Sequence, residues 1–228
     1  MSISNKALIA IAAIAAALAA PARGAETFAD RVIAAALNEV RVGVVYDASY
    51  VALPYPAGDV PASFGACTDL LTRAYRNAGI DLQAEIYLDR KANFSQYPPT
   101  PKGEKPGPNP DIDHRRCRNL IVWFEKKALK LTTSLKPEDL GEWQAGDVVF
   151  LHLNKTETSP GHVAIVHGSL GPDGTPRIID NFPPGAAVRF TVGMFPRIHS
   201  HYRWPSSEPA GEPIAPRYPG AATDNGAE

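Results

Sequence analysis

Between Gly146 and Phe182 the sequence reads as three short strands joined by tight turns, and this block limits the fold more than any other feature. Gly146-Asp147 turns the chain into an apolar run from Val148 to Leu153. After the Pro160-Gly161 break, His162 to Gly168 is a second strand, and the turn Gly171 to Pro176 leads into a third, Arg177 to Phe182. Strands this close in sequence pair antiparallel, so a three-stranded meander is expected. The segments before it have helical spacing: Phe28, Val32, Ile33, Ala36, Leu37 and Val40 share one face of Phe28 to Arg41. Leu70, Leu71, Ala74, Tyr75 and Ala78 do the same from Cys67 to Ala78, with Gly79 as the residue just past the end. Leu120 to Leu131 is a further helix carrying Trp123 and Phe124 inward. Helices that precede a small antiparallel sheet make this an α+β chain.

Irregular chain separates these elements. Val42 to Tyr46 is a short strand, and Pro54, Pro56, Gly58 and Pro61 hold a loop as far as Gly65. Ser95 to Pro110 is too rich in Pro and Gly for a regular element and reads as a long surface loop. After Trp204 few large apolar residues remain, so residues 205–228 are expected to be a disordered tail.

The N-terminus reads as a removable secretory signal. Lys6 supplies a positive start, Ala7 to Ala20 an apolar run of signal length, and Ala20-Pro21-Ala22 a small-residue cleavage site, with cleavage after Ala22. That leaves one domain at 26–204, exported to the periplasm or secreted. No later stretch approaches the roughly 18 apolar residues of a membrane span. The formal net charge is −1 with the charges interspersed, which argues against nucleic acid or an anionic membrane surface as partner. No oligomeric state can be read from the sequence.

An oxidising compartment permits a disulfide between the chain's two cysteines, Cys67 and Cys117. A different reading starts from position. Cys67 opens a helix, where unbonded N–H groups and the positive dipole end stabilise a thiolate. Asp69 works against this, so a positive partner is needed, and His162 at the start of its strand is the candidate. If the hairpin closes through Gly171 to Pro176, Asp180 or Asn181 lies near enough to orient the imidazole. Side chains alternate on a strand, so only one of the two can do so. Nucleophile, base and orienting group together are the logic of acyl transfer.

From Tyr46 to Trp204 the chain resembles the YijF-like family of exported bacterial proteins, a domain of unknown function. The resemblance is carried by Tyr46-Asp47, Tyr55-Pro56, Gly58-Asp59-Val60-Pro61, Cys67-Thr68-Asp69, Arg73-Ala74-Tyr75-Arg76 and Gly79-Ile80-Asp81-Leu82-Gln83. It continues through Asp113-His114-Arg115-Arg116, Asn119-Leu120, Gly146-Asp147-Val148, Gly161-His162-Val163-Ala164-Ile165-Val166 and His201-Tyr202-Arg203. That family is distantly similar to the NlpC-type papain-fold peptidases and amidases of the cell wall. The similarity is architectural: a helix opening on Cys, a Gly-Asp-Val strand, a His-Val-x-Ile-Val strand, then a polar residue on the next strand. It implies a papain-like fold, cleavage of cell-wall peptides, and the catalytic set Cys67, His162 and Asp180, with Asp180 taking the third polar position. Two departures stand out: Asp180 where His is usual, and Cys117 where an aliphatic residue is usual.

Other polar groups complete the inventory. Asp113, His114, Arg115, Arg116 and Asn181 are the candidate substrate-binding residues. Arg115 and Arg116 could offer guanidinium forks to the carboxylates of peptidoglycan peptides, or the cluster could be an ion-pair network pinning the long loop. His152, His162, His167, His199 and His201 suggest zinc, yet neither H-E-x-x-H nor paired C-x-x-C occurs, and no metal or cofactor is expected. Tyr46 and Tyr55 are read as core residues or as cleft lining, and His201-Tyr202-Arg203 as a packed closing segment.

Overall fold

A computed structural model describes residues 26–205 and 210–220; the signal segment expected at the N-terminus, with its expected cleavage after Ala22, lies outside them. The described residues form an α+β fold of four α-helices on one curled, eight-stranded sheet. The helices are α1 (Phe28–Val42), α2 (Cys67–Asn77), α3 (Leu82–Ala92) and α4 (Cys117–Lys127). The strands are β1 (Val45–Tyr46), β2 (Phe64–Gly65), β3 (Leu129–Leu131), β4 (Val148–His152), β5 (His162–Leu170), β6 (Pro176–Phe182), β7 (Gly185–Ala187) and β8 (Arg197–Arg203). Their order across the sheet is β2-β1-β7-β6-β5-β4-β8-β3, and all neighbours are antiparallel except β1 and β2. No helix among the described residues is long and apolar enough to cross a membrane.

The expected meander is the centre of the sheet. β4 pairs with β5 and β5 with β6, with Ile165 opposite Ile179 and Val166 opposite Ile178. The period of two then sorts these strands into two layers. Val148, Phe150, Val163, Ile165 and Ile179 pack against α2 and α4, in one core with Leu70, Leu71, Tyr75, Trp123 and Phe124. Val149, Leu151, Ala164, Val166 and Ile178 face the other way, onto Trp143 and Val192. His201-Tyr202-Arg203 is the end of β8, and Tyr202 joins the helix-side core.

Local chemistry sets the helix ends. Thr27 caps α1 by accepting from the Asp30 N–H at 3.1 Å, while the Asp30 carboxylate accepts from the Thr27 N–H at 3.0 Å. Gly43 closes the helix at φ +72°. α4 begins at Cys117, three residues earlier than the apolar spacing suggests, and stops at Lys127 before β3. The short strand expected at Val42 to Tyr46 shrinks to β1, because α1 continues through Val42. α3 was not anticipated; Asp81 caps it by accepting from the Gln83 N–H at 3.2 Å.

The disordered tail is corrected over 210–220, which forms a strap across α2. The Gly211 N–H donates to Ala78 O, Ile214 N–H to Arg76 O and Arg217 N–H to Ala57 O, and Asp59 N–H donates back to Arg217 O. Composition could not reveal this, since the docking is made by main-chain groups. Gly79, at φ +92°, passes so near Gly211 that a Cβ there would come within 2.5 Å of its Cα. Truncation after Trp204 is therefore expected to lower the melting temperature by several degrees, since each of these hydrogen bonds stabilises by about 1 kcal/mol. An unchanged calorimetric transition in the shortened protein would show that the strap contributes nothing to the fold.

Candidate active site

The site forms where α2 and β5 begin. Cys67 is the first residue of α2, is only 6% exposed, and lines an open cleft of about 430 Å³. His162 is the first residue of β5. Carrying the register of the β5–β6 hairpin onward puts Asp180 diagonal to His162 on the same face, and His162 Nε2 lies 2.8 Å from Asp180 Oδ2. The Cys67 thiol lies close enough for it and the imidazole to act on each other's charge. Phe182 and Phe195 flank the imidazole at ring-centroid distances of 5.3 and 5.6 Å. Neither phenylalanine was foreseen; a period-two reading of β6 marks only that Phe182 shares Asp180's parity.

The electrostatics favour a thiolate beside an imidazolium. The thiol of Cys67 is held well below its ordinary range, first by a hydrogen bond from Cys117 and then, against burial, by the charge of His162 and the N–H of Val163. Burial pushes His162 down, but the charge of Cys67 and the hydrogen bond to Asp180 outweigh it and raise the imidazole to about 9. Each partner thus supports the charge of the other.

Asp69 does not spoil this arrangement, because Arg115 holds it. Arg115 Nε and Nη2 reach Asp69 Oδ1 and Oδ2 at 2.8 and 2.9 Å, a fork-to-fork pair with both side chains 3% exposed. Asp69 Oδ2 also accepts from the Ala66 N–H at 2.7 Å, closing the start of α2 where Ala66 has no side chain to do so. The third nitrogen of Arg115 donates to Ser49 O at 2.8 Å, so the fork foreseen for a substrate is occupied within the chain.

Of the other proposed binding residues, most are structural. Asp113 is buried, paired with Arg90, and accepts from the Asn109 N–H at 2.6 Å. His114 is buried, which pushes it down to about 4 and keeps it neutral. Asn181 points away from His162, as alternation requires, and donates to Gly65 O at 2.8 Å. Asp113, Arg115 and Asn181 are thus engaged within the chain, and His114 is buried. Arg116 is different: it lines the Cys67 cleft, as do Tyr46 and Arg118. Tyr55 packs on Tyr87 instead, at 4.9 Å between centroids.

The disulfide weighed from the sequence would bring Cys117 to Cys67, and the structure does place them together, but with Cys117 as a free thiol lining the cleft. Cys117 begins α4 as Cys67 begins α2, lines the same cleft, and directs its thiol at Cys67; both cysteines are free. The hydrogen bond to Cys67, and after it burial, push the Cys117 thiol up, so it acts as donor. A larger hollow, about 700 Å³, lies between α1, α2 and the strap, but its Arg73 and Arg76 are taken by Glu39 and Asp59. Size therefore does not select the site; the unspent chemistry lies in the Cys67 cleft.

Comparison with known proteins agrees with the family resemblance read from the motifs. The family described as domain of unknown function (DUF1287) matches residues 33–204. The uncharacterized protein YijF of Escherichia coli (strain K12) is 37% identical over 169 residues, covering 74% of this chain and 78% of the relative. No solved structure matches. With that match spanning the sheet, the helices and all three of Cys67, His162 and Asp180, the chain belongs to the DUF1287, YijF-like family.

Proposed function

We propose that the protein is an exported cysteine hydrolase that cleaves amide bonds of cell-wall peptides on a papain-like, NlpC-type fold. The observation that carries this reading is His162 held between the Cys67 thiol and the Asp180 carboxylate. The order of Cys on a helix, then His on a central strand, then Asp on the next, supports the fold assignment, and the signal-like N-terminus supports export.

The chemistry follows from the geometry. Cys67 Sγ attacks the amide carbonyl carbon, forming the C–S bond and an oxyanion. Backbone N–H groups at the start of α2, which have no helical carbonyl to bond, receive that charge. His162 gives its proton to the leaving nitrogen as the C–N bond breaks. Water, deprotonated by His162, then attacks the thioester; the C–S bond breaks and releases a carboxylic acid with the thiolate restored. Asp180 holds the ring throughout.

A second reading has one observation in its favour, the closeness of Cys67 and Cys117: a disulfide there would make this a non-catalytic envelope binding protein. Mass spectrometry of the unreduced protein separates the two. A free Cys67, with release of peptides from purified cell wall that Cys67→Ala abolishes, is expected. A quantitative Cys67–Cys117 bond would sink the hydrolase reading. Cys117→Ala should slow release, because it removes the donor that favours the thiolate.

The pH dependence has a definite sign. Thiolate is present above the lowered Cys67 range, so alkylation should already be near its plateau at neutral pH. His162→Ala should move the alkylation profile to higher pH, part of the way to an ordinary thiol, since the Cys117 contact that lowers Cys67 most remains. Hydrolysis should fall as pH rises through about 9, where His162 loses the proton it must give the leaving nitrogen. A hydrolysis rate still climbing beyond that point would contradict the assignment of His162 as the acid.

Asp180 and Asn181 should separate cleanly. Asp180→Ala is expected to cost at least ~10-fold in turnover, whereas Asn181→Ala should chiefly cost ~1 kcal/mol of stability by removing one of the two hydrogen bonds to Gly65 O, which keeps the Asp47 N–H. Turnover lost in Asn181→Ala at full stability would reverse the roles.

A further inference from the structure

We propose that Arg116, with Arg118 beside it, is a carboxylate-recognition site at the mouth of the Cys67 cleft, and that Glu104 occupies it as a stand-in for an anionic peptide substrate. The inference rests on the hydrolase reading and specifies its substrate: a peptide with a carboxylate next to the scissile amide.

Three observations carry it. Glu104 Oε1 and Oε2 both accept from Arg116 Nη2, at 2.6 and 2.5 Å, so the site already binds a carboxylate. Arg116 and Arg118 bracket Cys117, whose thiol meets Cys67, and all four residues line one cleft. Arg118 has no hydrogen-bond or ion-pair partner among the described residues. A second guanidinium without an acid, close to the first, leaves positive charge unneutralised where a substrate would enter.

Glu104 is held in a manner suited to displacement. It ends the turn Pro101–Glu104, closed by its N–H on Pro101 O at 3.1 Å, with Gly103 at φ +93°. A Cβ added at Gly103 or at Gly107 would meet nothing within 4 Å, so the turn stands clear of the body. From Pro101 to Pro108 the side-chain hydrogen bonds to the body, among the described residues, are those of Glu104 to Arg116. The Glu104 side chain is 41% exposed, and an ion pair so open contributes little to stability. Its loss would free the turn and leave the guanidinium for another carboxylate. Asp69, by contrast, takes Arg115 in a closed fork, which is why Arg115 is not available for this role.

Two alkylating probes of like size test the idea without knowing the substrate. Iodoacetamide reports the Cys67 thiolate, and iodoacetate reports the thiolate together with any site for its carboxylate. The ratio of the iodoacetate rate to the iodoacetamide rate at Cys67 should rise about twofold to fivefold in Glu104→Gln, as the competing anion is removed, and fall by a similar factor in Arg116→Gln and in Arg118→Gln. Glu157→Gln is the control, since Glu157 also acts on Cys117 through its charge but binds the Leu153 N–H at 2.7 Å. It should leave the ratio unchanged. A ratio indifferent to Glu104 and Arg116, or one that Glu157→Gln raises equally, would overturn the carboxylate site while fast iodoacetamide labelling left the thiolate standing. Slow iodoacetamide labelling of Cys67 at neutral pH would defeat the hydrolase reading and this inference together.

Discussion

Asp69 carries a negative charge two residues from Cys67, and the fork of Arg115 is what lets it remain there. A carboxylate so close to a thiolate would oppose its formation, yet Asp69 is needed to close the first turn of α2 over Ala66. Arg115 satisfies both oxygens at once, and because it precedes α4 by only two residues, the same pair brings the start of α4 against the start of α2. The meeting of Cys67 and Cys117 is a consequence of that placement. Buried pairs of this kind add little net stability, but losing one partner costs about 3–5 kcal/mol, since a desolvated charge is then left alone. Arg115 thus controls geometry and charge together, and it does so without touching the thiol.

Much of this was legible in the sequence because it depends on short-range rules. The start of α2 follows from apolar spacing and Gly79, and the meander from glycine turns. The choice of Asp180 over Asn181 as neighbour of His162 follows from strand alternation once the hairpin is granted. What could not be read depends on distant segments. That Cys67 and Cys117 could meet was read from their number alone, but that they meet as free thiols in one cleft depends on the packing of α4 against α2, with Arg115 between. The strap at 210–220 escaped a reading based on apolar content, because its attachments are peptide groups. Arg115 and Asp113 present the same charges whether they face a ligand or another side chain, and burial alone distinguishes the two cases.

The sheet explains why the site can be held so closely. β4, β5 and β6 are covered on both faces, by α2 and α4 on one side and by Trp143 and Val192 on the other. Strands fixed on two sides have little freedom to slide, so His162 and Asp180 inherit a register enforced by the whole core. Cys67, packed into the helix-side core through Leu70 and Leu71, is fixed to the same frame.

The two phenylalanines around His162 have an effect on proton traffic. Phe182 and Phe195 close off the ring's flanks, and Asp180 seals its Nε2 edge. With the ring almost wholly buried, the side toward Cys67 is the route left for protons. In the hydrolase proposed above, bulk water would then be kept from trading protons with the ring between the two halves of a turnover. The imidazole works as a single-door compartment, and whichever molecule stands at that door is the one it protonates.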